Sequence, residues 1–247
     1  PTDADLSGYN LILAPLLYML KPGVAEALTD FVFQGGCLVV SFFSGLVDEN
    51  DRVITGGYPD GLRDVLGIWV EETDALLPLQ FRTMLIKEPD AYLKGSYQCS
   101  LLCDIVHLQG ARALAVYGED FYADMPCLTE HHYGKGMAFY LAADAEDRFM
   151  QDFADKIIEQ LHLEPPLAVP QGVEVTRRIK DNQNPVLFVI NHLRESVTID
   201  VGPDAKTDLL TGQSLNGSVQ LDAGDVLVLQ SDGEKGGHNS GPQGTFF

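Results

Sequence analysis

Tyr9-Asn10-Leu11-Ile12-Leu13-Ala14-Pro15, followed after a helical stretch by Gly35-Gly36-Cys37-Leu38-Val39-Val40-Ser41-Phe42-Phe43, decides the fold. Each is a short apolar run without alternation, as in strands buried on both faces, and Pro15 ends the first. Between them Val24, Ala27, Leu28, Phe31 and Val32 recur at i, i+3, i+4, i+7 and i+8, behind Pro22 at a first-turn position and ahead of Gly35-Gly36. That spacing predicts an amphipathic helix with a glycine stop. Strand, helix, strand is the crossover unit of a parallel sheet, and its hand is nearly always right. The expectation is therefore an α/β domain with an open, mostly parallel sheet flanked by helices.

Working outward, residues 44–61 carry four glycines and a proline with no sustained period. Long connections without secondary structure are uncommon inside compact domains and are usually functional. Leu62-Arg63-Asp64-Val65-Leu66-Gly67 predicts a short helix, and residues 76–86, 97–108 and 114–117 predict strands. Residues 127–133 and 137–141 flank Gly134-Lys135-Gly136 as a hairpin. Phe149, Phe153, Ile157 and Leu161 step by four and predict a second strong helix. Pro165-Pro166-Leu167-Ala168-Val169-Pro170 is a stiff linker. Beyond it, short strands over 173–179, 186–190, 197–201 and 226–229 predict a small antiparallel β-sandwich. The organisation expected is 1–165 for the α/β domain, 171–230 for the β domain, and 231–247 for a flexible, glycine-rich tail.

Sixteen Lys plus Arg against thirty-six Asp plus Glu leave a net charge of −20, so phosphate backbones and anionic lipid surfaces are repelled. Nucleic acid and membrane partners are excluded on that ground, and no apolar run approaches the roughly 20 residues of a bilayer span. Four scattered cysteines are too few for a disulfide scaffold, which points to reduced thiols and a cytoplasmic location. A chain opening at Pro1 reads as a piece of something longer.

A sheet of this kind with cysteines and histidines invites a cysteine-hydrolase reading, as in class I glutamine-amidotransferase-like folds. A nucleophilic cysteine there needs a glycine-flanked turn between strand and helix. Cys37 and Cys127 instead open strands, and Cys99 and Cys103 lie within one, where cysteine acts as a small hydrophobe. Cys99, Cys103 and His107 share a four-residue spacing, but on a strand such residues stand about 13 Å apart, too far to share an ion. No cofactor or metal is called for. An independent carbohydrate-binding module would stack sugars on exposed rings, and residues 171–230 offer only Phe188.

The segment Phe43-Ser44-Gly45-Leu46-Val47-Asp48-Glu49-Asn50-Asp51-Arg52-Val53, then Gly56-Gly57-Tyr58-Pro59 and Leu62-Arg63-Asp64-Val65-Leu66-Gly67-Ile68, resembles the second domain of glycoside hydrolase family 42 β-galactosidases. Asp5-Leu6-Ser7-Gly8-Tyr9, Leu13-Ala14-Pro15, Gly35-Gly36, Tyr133-Gly134-Lys135-Gly136, Gly172-Val173-Glu174-Val175-Thr176-Arg177-Arg178 and Asp208-Leu209-Leu210-Thr211-Gly212 match in the same order, over residues 3–230. The resemblance implies the trimerisation and C-terminal portions of a chain whose catalytic barrel lies elsewhere. A barrel needs about 250 residues, which this chain does not have to spare. It implies a homotrimer in the full-length enzyme, contact with the barrel of its own and a neighbouring subunit, and β-galactoside substrate met only through that enzyme. It implies hydrolysis with retention by two carboxylates about 5 Å apart that belong to the barrel, so no catalytic residue is assigned here.

The interface is expected on the 44–61 loop, where glycines allow close approach. Phe43, Val47, Tyr58 and Pro59 supply apolar contacts, and Asp48, Glu49, Asp51 and Arg52 a charged rim.

Overall fold

The computed structural model describes residues 5–179 and 184–231. These divide into two compact units, the first running to His162 and the second starting at Leu163. The expected tail lies, from residue 232 onward, outside the described residues.

The first unit opens with β1 (Leu11–Ala14), α1 (Val24–Gln34) and β2 (Cys37–Ser41). Helix α1 buries Leu28, Phe31 and Val32, and Gly35 closes it by donating to the Val32 carbonyl. The two strands are parallel, with Leu11 opposite Cys37 and Ala14 opposite Val40. There follow α2 (Arg63–Leu66), β3 (Ile68–Ala75), β4 (Arg82–Ile86), β5 (Ser96–Leu108), β6 (Arg112–Tyr117), β7 (Pro126–Tyr133), β8 (Gly136–Leu141), β9 (Ala143–Ala145) and α3 (Asp147–Gln160).

The mostly parallel open sheet expected from the opening unit is corrected by this arrangement. One mixed sheet of nine strands runs β1-β2-β8-β7-β6-β4-β5-β3, and only β1, β2 and β8 are mutually parallel. The cause is connection length, because a parallel neighbour needs a crossover of a dozen or more residues, usually helical. Between β2 and α3 the chain supplies only the single turn of α2, so β3 to β8 pair antiparallel with one another.

Nor does the sheet stay open. β9 continues β8 after one residue, Ala142, and pairs with β5, placing Ala145 opposite Cys99 and Ala143 opposite Cys103. β5, β4, β6, β7 and the β8–β9 arm therefore close a ring of strands. A register shift between Ser100 and Cys103, with Leu101 at φ 56°, bends β5 where β9 joins it. Met84, Cys99, Cys103, Tyr117 and Cys127 are fully buried in the core. The Tyr117 hydroxyl donates to the carbonyls of Asp104 and Ala142, 3.1 Å each, tying β5 to the β8–β9 junction.

The strand expected over 76–86 is also corrected: β3 ends at Ala75, residues 76–81 form a connection, and β4 begins at Arg82. Pro78 cannot donate to a ladder. Ile68 and Val70 face the core while Glu71 and Glu72 lie outside. Helix α3 lays Phe149, Phe153 and Ile157 on the sheet, with Phe149 edge-on to Tyr97 at 5.2 Å and Phe153 edge-on to Phe139 at 5.5 Å. Each phenylalanine so buried contributes about 1.5–3 kcal/mol.

The second unit comprises β10 (Val173–Arg178), β11 (Val186–Asn191), β12 (Val197–Asp200), β13 (Lys206–Asp208), β14 (Ser214–Leu215), β15 (Ser218–Leu221) and β16 (Val226–Ser231). They form a sheet β10-β11-β16-β13-β14 and a pair β12-β15, antiparallel throughout. Val189, Ile199, Val201, Leu221 and Leu229 make its core. Buried Asn191 donates to the carbonyls of Glu195, Leu221 and Asp222 and accepts from the Leu193 amide.

Candidate functional site

The 44–61 loop is built as two fastened ends and a presented tip. Its first end continues β2. The Phe42 amide donates to Leu141 at 2.7 Å, and Phe43 then turns at φ 58°. Ser44, fully buried, donates to the Ser41 carbonyl at 2.7 Å and accepts from the Leu17 amide at 2.9 Å. The Gly45 and Leu46 amides donate to Leu17 and Tyr18, which stitches the loop to the segment after β1.

At the far end Tyr58 and Val70 exchange backbone hydrogen bonds, so the loop adds a bridge to the outer edge of β3. The Arg63 guanidinium donates to the carbonyls of Gly56 and Gly57. Gly57, at φ 88°, lies so close to Trp69 that a Cβ would stand 2.8 Å from the indole. The ends meet where Asp60 donates to Gly45, whose own Cβ would sit 2.8 Å from Pro59. Only glycine satisfies both the positive φ and the contact at these two places.

Both ends converge on Asp104, a fully buried carboxylate on β5. Its Oδ2 accepts from the Tyr140 hydroxyl at 2.5 Å and from the Phe43 amide at 3.3 Å. Its Oδ1 accepts from the Thr73 hydroxyl at 2.6 Å, and Thr73 in turn bonds the Tyr58 hydroxyl. All of these donors are neutral, and no ion pair among the described residues involves Asp104. Burial accordingly pushes its carboxyl above the usual range, and the hydroxyls of Thr73 and Tyr140 and the Phe43 amide only partly offset this. Burial and the Asp104 charge push the Tyr58 phenol up to about 12.

The tip is a tight hairpin in which Val47 bridges Val53. Asp48 Oδ1 accepts from the amides of Asn50 and Arg52 at 2.9 and 3.0 Å, and its Oδ2 accepts from the Arg52 guanidinium at 3.0 Å. These bonds, led by the Arg52 amide, hold the Asp48 carboxyl below its usual value. Tyr18 stacks on Phe43 with centroids 5.5 Å apart and donates to Asp51 at 2.9 Å.

Among the expected interface residues, Val47 and Pro59 are buried in the chain's own packing. Phe43, Asp48 and Tyr58 are half-buried, and Glu49, Asp51 and Arg52 are exposed. Val53, 75% exposed, is the main apolar surface of the tip. Asp104 and Tyr18 escaped the sequence reading. The one signal for Asp104 was a lone carboxylate between Cys103 and the apolar Ile105-Val106.

The remaining chemistry is structural. All four cysteines are free and buried. Burial, with the Glu130 charge adding, pushes the Cys37 thiol up to about 12, burial pushes Cys103 up to about 11, and Cys99 and Cys127 are raised further. Thiols so placed yield no nucleophilic thiolate at neutral pH. His107 stacks on Trp69 at 4.5 Å and bonds Glu71 at 2.7 Å, and His131 bonds the Val65 carbonyl at 3.0 Å. Among the described residues no group of three His, Cys, Asp or Glu can hold a metal ion.

Comparison with known proteins gives this architecture its place. Residues 1–164 match the family model described as the β-galactosidase trimerisation domain, and residues 172–231 the β-galactosidase C-terminal domain. The β-galactosidase BgaP of Planococcus sp. (strain L4) is 45% identical over 227 residues, covering 92% of this chain and 33% of that protein. The crystal structure of the β-galactosidase from Bacillus circulans sp. alkalophilus superposes with a TM-score of 0.85 at 43% identity, over 93% of this chain and 34% of that one. A catalytic mutant of Gan42B, a GH42 β-galactosidase from G. stearothermophilus, superposes with a TM-score of 0.77 at 33% identity, over 92% of this chain and 32% of that one. The chain thus spans about a third of the length of the relatives it matches. It belongs to the glycoside hydrolase family 42 β-galactosidases, of which it carries the trimerisation domain followed by the C-terminal domain.

Proposed function

We propose that this chain is the assembly portion of a β-galactosidase: it holds three subunits together, and the carboxylates that cleave terminal β-D-galactosides with retention belong to a barrel outside it. The 44–61 tip packs at the three-fold interface, near the barrel mouth of a neighbouring subunit, and helps wall that neighbour's substrate funnel. One observation carries this reading. A loop of 18 residues is fastened at both ends to one buried carboxylate, while residues 49–53 are left facing outward. A connection serving only its own sheet has no need of a preformed, outward-facing hairpin.

The parallel β1-β2-β8 run, crossed by α1, supports an amidotransferase-like origin for that side of the sheet. The buried, raised thiols oppose a cysteine hydrolase. Phe188 as the single aromatic of residues 171–231 opposes a sugar-binding module. Free thiols in all four positions support a reducing, cytoplasmic location.

The test pairs light scattering with a chromogenic galactoside assay on the purified chain. The expected outcome is a trimer that Val53→Asp converts to monomer and that releases no chromophore. Galactoside hydrolysis by this polypeptide, or an unchanged trimer with Val53→Asp, would refute the reading.

A further inference from the structure

A line of oxygens runs from the 44–61 loop to the buried carboxylate. Tyr58 bonds Thr73, Thr73 bonds Asp104 Oδ1 at 2.6 Å, and Oδ2 accepts from the Tyr140 hydroxyl at 2.5 Å and the Phe43 amide at 3.3 Å. Each hydroxyl along it has one proton to give and can also accept one. We propose that Tyr58, Thr73 and Asp104 form a reversible proton relay, whose bonds run inward when Asp104 is ionised and outward when it is neutral, so that the Tyr58 hydroxyl is a pH-sensitive donor on the loop. The relay belongs to the first unit alone and is independent of how subunits assemble.

With Asp104 ionised every group is satisfied. Tyr58 donates to Thr73, Thr73 and Tyr140 donate to opposite carboxylate oxygens, and the Phe43 amide donates to Oδ2. One added proton forces a choice between the two oxygens. On Oδ2 it would confront the Phe43 amide, itself a donor, and would have to be given to Tyr140. Tyr140 is fully buried and among the described residues its hydroxyl bonds Asp104 alone, so its own proton would lose its acceptor. On Oδ1 the added proton is given to Thr73, Thr73 donates to Tyr58, and Tyr140 and the Phe43 amide keep their acceptor. The Tyr58 proton then turns outward from a half-buried residue, toward water and the charge of Glu72, which acts on this phenol.

The step balances as a concerted transfer. A hydronium ion gives its proton to the Tyr58 oxygen, Tyr58 passes its own to Thr73, and Thr73 passes its own to Oδ1. Each of the three oxygens gains one O–H bond, the two hydroxyls each break one, and a water molecule and a neutral carboxyl result. The titratable groups packed around Asp104 supply no countercharge that would hold it ionised. They are the phenols of Tyr58 from the loop, Tyr140 from β8 and Tyr117 from β6, whose hydroxyl donates to the Asp104 carbonyl, with the thiols of Cys99, Cys103 and Cys127 near Tyr117. Burial holds all of these uncharged at neutral pH. Burial likewise favours proton uptake by Asp104 itself.

The direction of one shift separates a relay from a fixed set of donors. Tyr58→Phe keeps the ring and deletes the outer hydroxyl. In a relay the loss falls on the neutral state, whose Thr73 proton is left without an acceptor, so the Asp104 titration midpoint should fall by about one pH unit, a tenfold loss of proton affinity. A Tyr58 that always donates inward would instead support the ionised state, and its removal would raise the midpoint. Thr73→Ser retains a relaying hydroxyl and should leave the midpoint at its wild-type position. The readout is the carboxyl carbon resonance of Asp104 in a chain labelled with isotopic aspartate, assigned through its own backbone and titrated over the pH range in which Trp69 fluorescence shows the first unit folded. A midpoint that rises or stays unchanged in Tyr58→Phe, a Thr73→Ser midpoint that falls as far as that of Tyr58→Phe, or a wild-type carboxyl that does not titrate while the chain is folded would each overturn the relay.

Discussion

Tyr140→Phe isolates the node beneath the loop, because it deletes one hydroxyl and leaves the ring packing unchanged. In the wild-type chain that hydroxyl donates to Asp104 Oδ2 at 2.5 Å, and both residues are fully buried. Water cannot replace the donor, so wherever Asp104 is ionised the loss is that of a hydrogen bond to a charged acceptor, about 1.5–3 kcal/mol. With Asp104 protonated the bond joins neutral groups, and the loss falls to about 1 kcal/mol. The sign follows from linkage. Burial holds the folded-state pKa of Asp104 above its unfolded value, so this group's contribution is fully present below the unfolded pKa and declines as pH rises toward the folded one. Removing a donor to the ionised form raises the folded pKa further and prolongs that decline, so the variant's deficit should grow with pH and then level off. Trp69, the single tryptophan, lies in the same unit beneath Gly57 and reports unfolding of this unit alone. Urea titrations of both proteins followed by its fluorescence, at pH 4 and pH 8, give the two deficits. A deficit larger at pH 4 than at pH 8, or one below about 0.5 kcal/mol at pH 8, would refute the assignment of Asp104 as a buried acceptor of hydrogen bonds.

Two further outcomes are expected. Gly57→Ala should destabilise the first unit by about 1–3 kcal/mol and shift the Trp69 emission, because the new Cβ meets the indole at a strained φ; an alanine variant of wild-type stability and spectrum would contradict the close packing. A colourimetric disulfide reagent at pH 8 should label none of the four cysteines until the chain unfolds, with labelling rates that track the urea dependence of unfolding; prompt modification of Cys37 or Cys103 in the native chain would show a thiol the structure places out of reach.

The opening strand, helix and strand were legible because their patterns are local: an apolar run needs no partner to be recognised, and α1 declares its buried face every 3.6 residues. The hairpin around Gly134-Lys135 was legible for the same reason. The majority antiparallel pairing was not, because the parallel opening unit says nothing of how later strands return, and the absence of crossover helices had to be weighed across 100 residues. β3 was missed because Glu71 and Glu72 interrupt its apolar pattern, and Leu76 and Leu77 extended the strand that is β4 falsely back to residue 76. The loop was found by its lack of period, yet its division into fastened and presented residues was hidden. Val47 and Tyr58 look alike as apolar anchors in sequence, and only contacts with Met19, Val70 and Thr73 separate the buried one from the half-buried. Asp104 lies 61 residues from the amide it holds, a separation no spacing rule spans.

The β8–β9 arm sets a timetable for synthesis. At about 5–20 residues per second, a ribosome that has just made Phe43 needs roughly 5–20 s more to deliver Ala145, the residue that seals the ring. Until then Asp104 lacks the Tyr140 hydroxyl, and β5 offers an unsatisfied edge where β9 will pair. A nascent chain stalled short of residue 145 would carry the loop's sequence without its shape, with an unpaired strand open to the wrong neighbour. The loop's fastened shape therefore arrives late, only after the strands that hold Asp104 are complete.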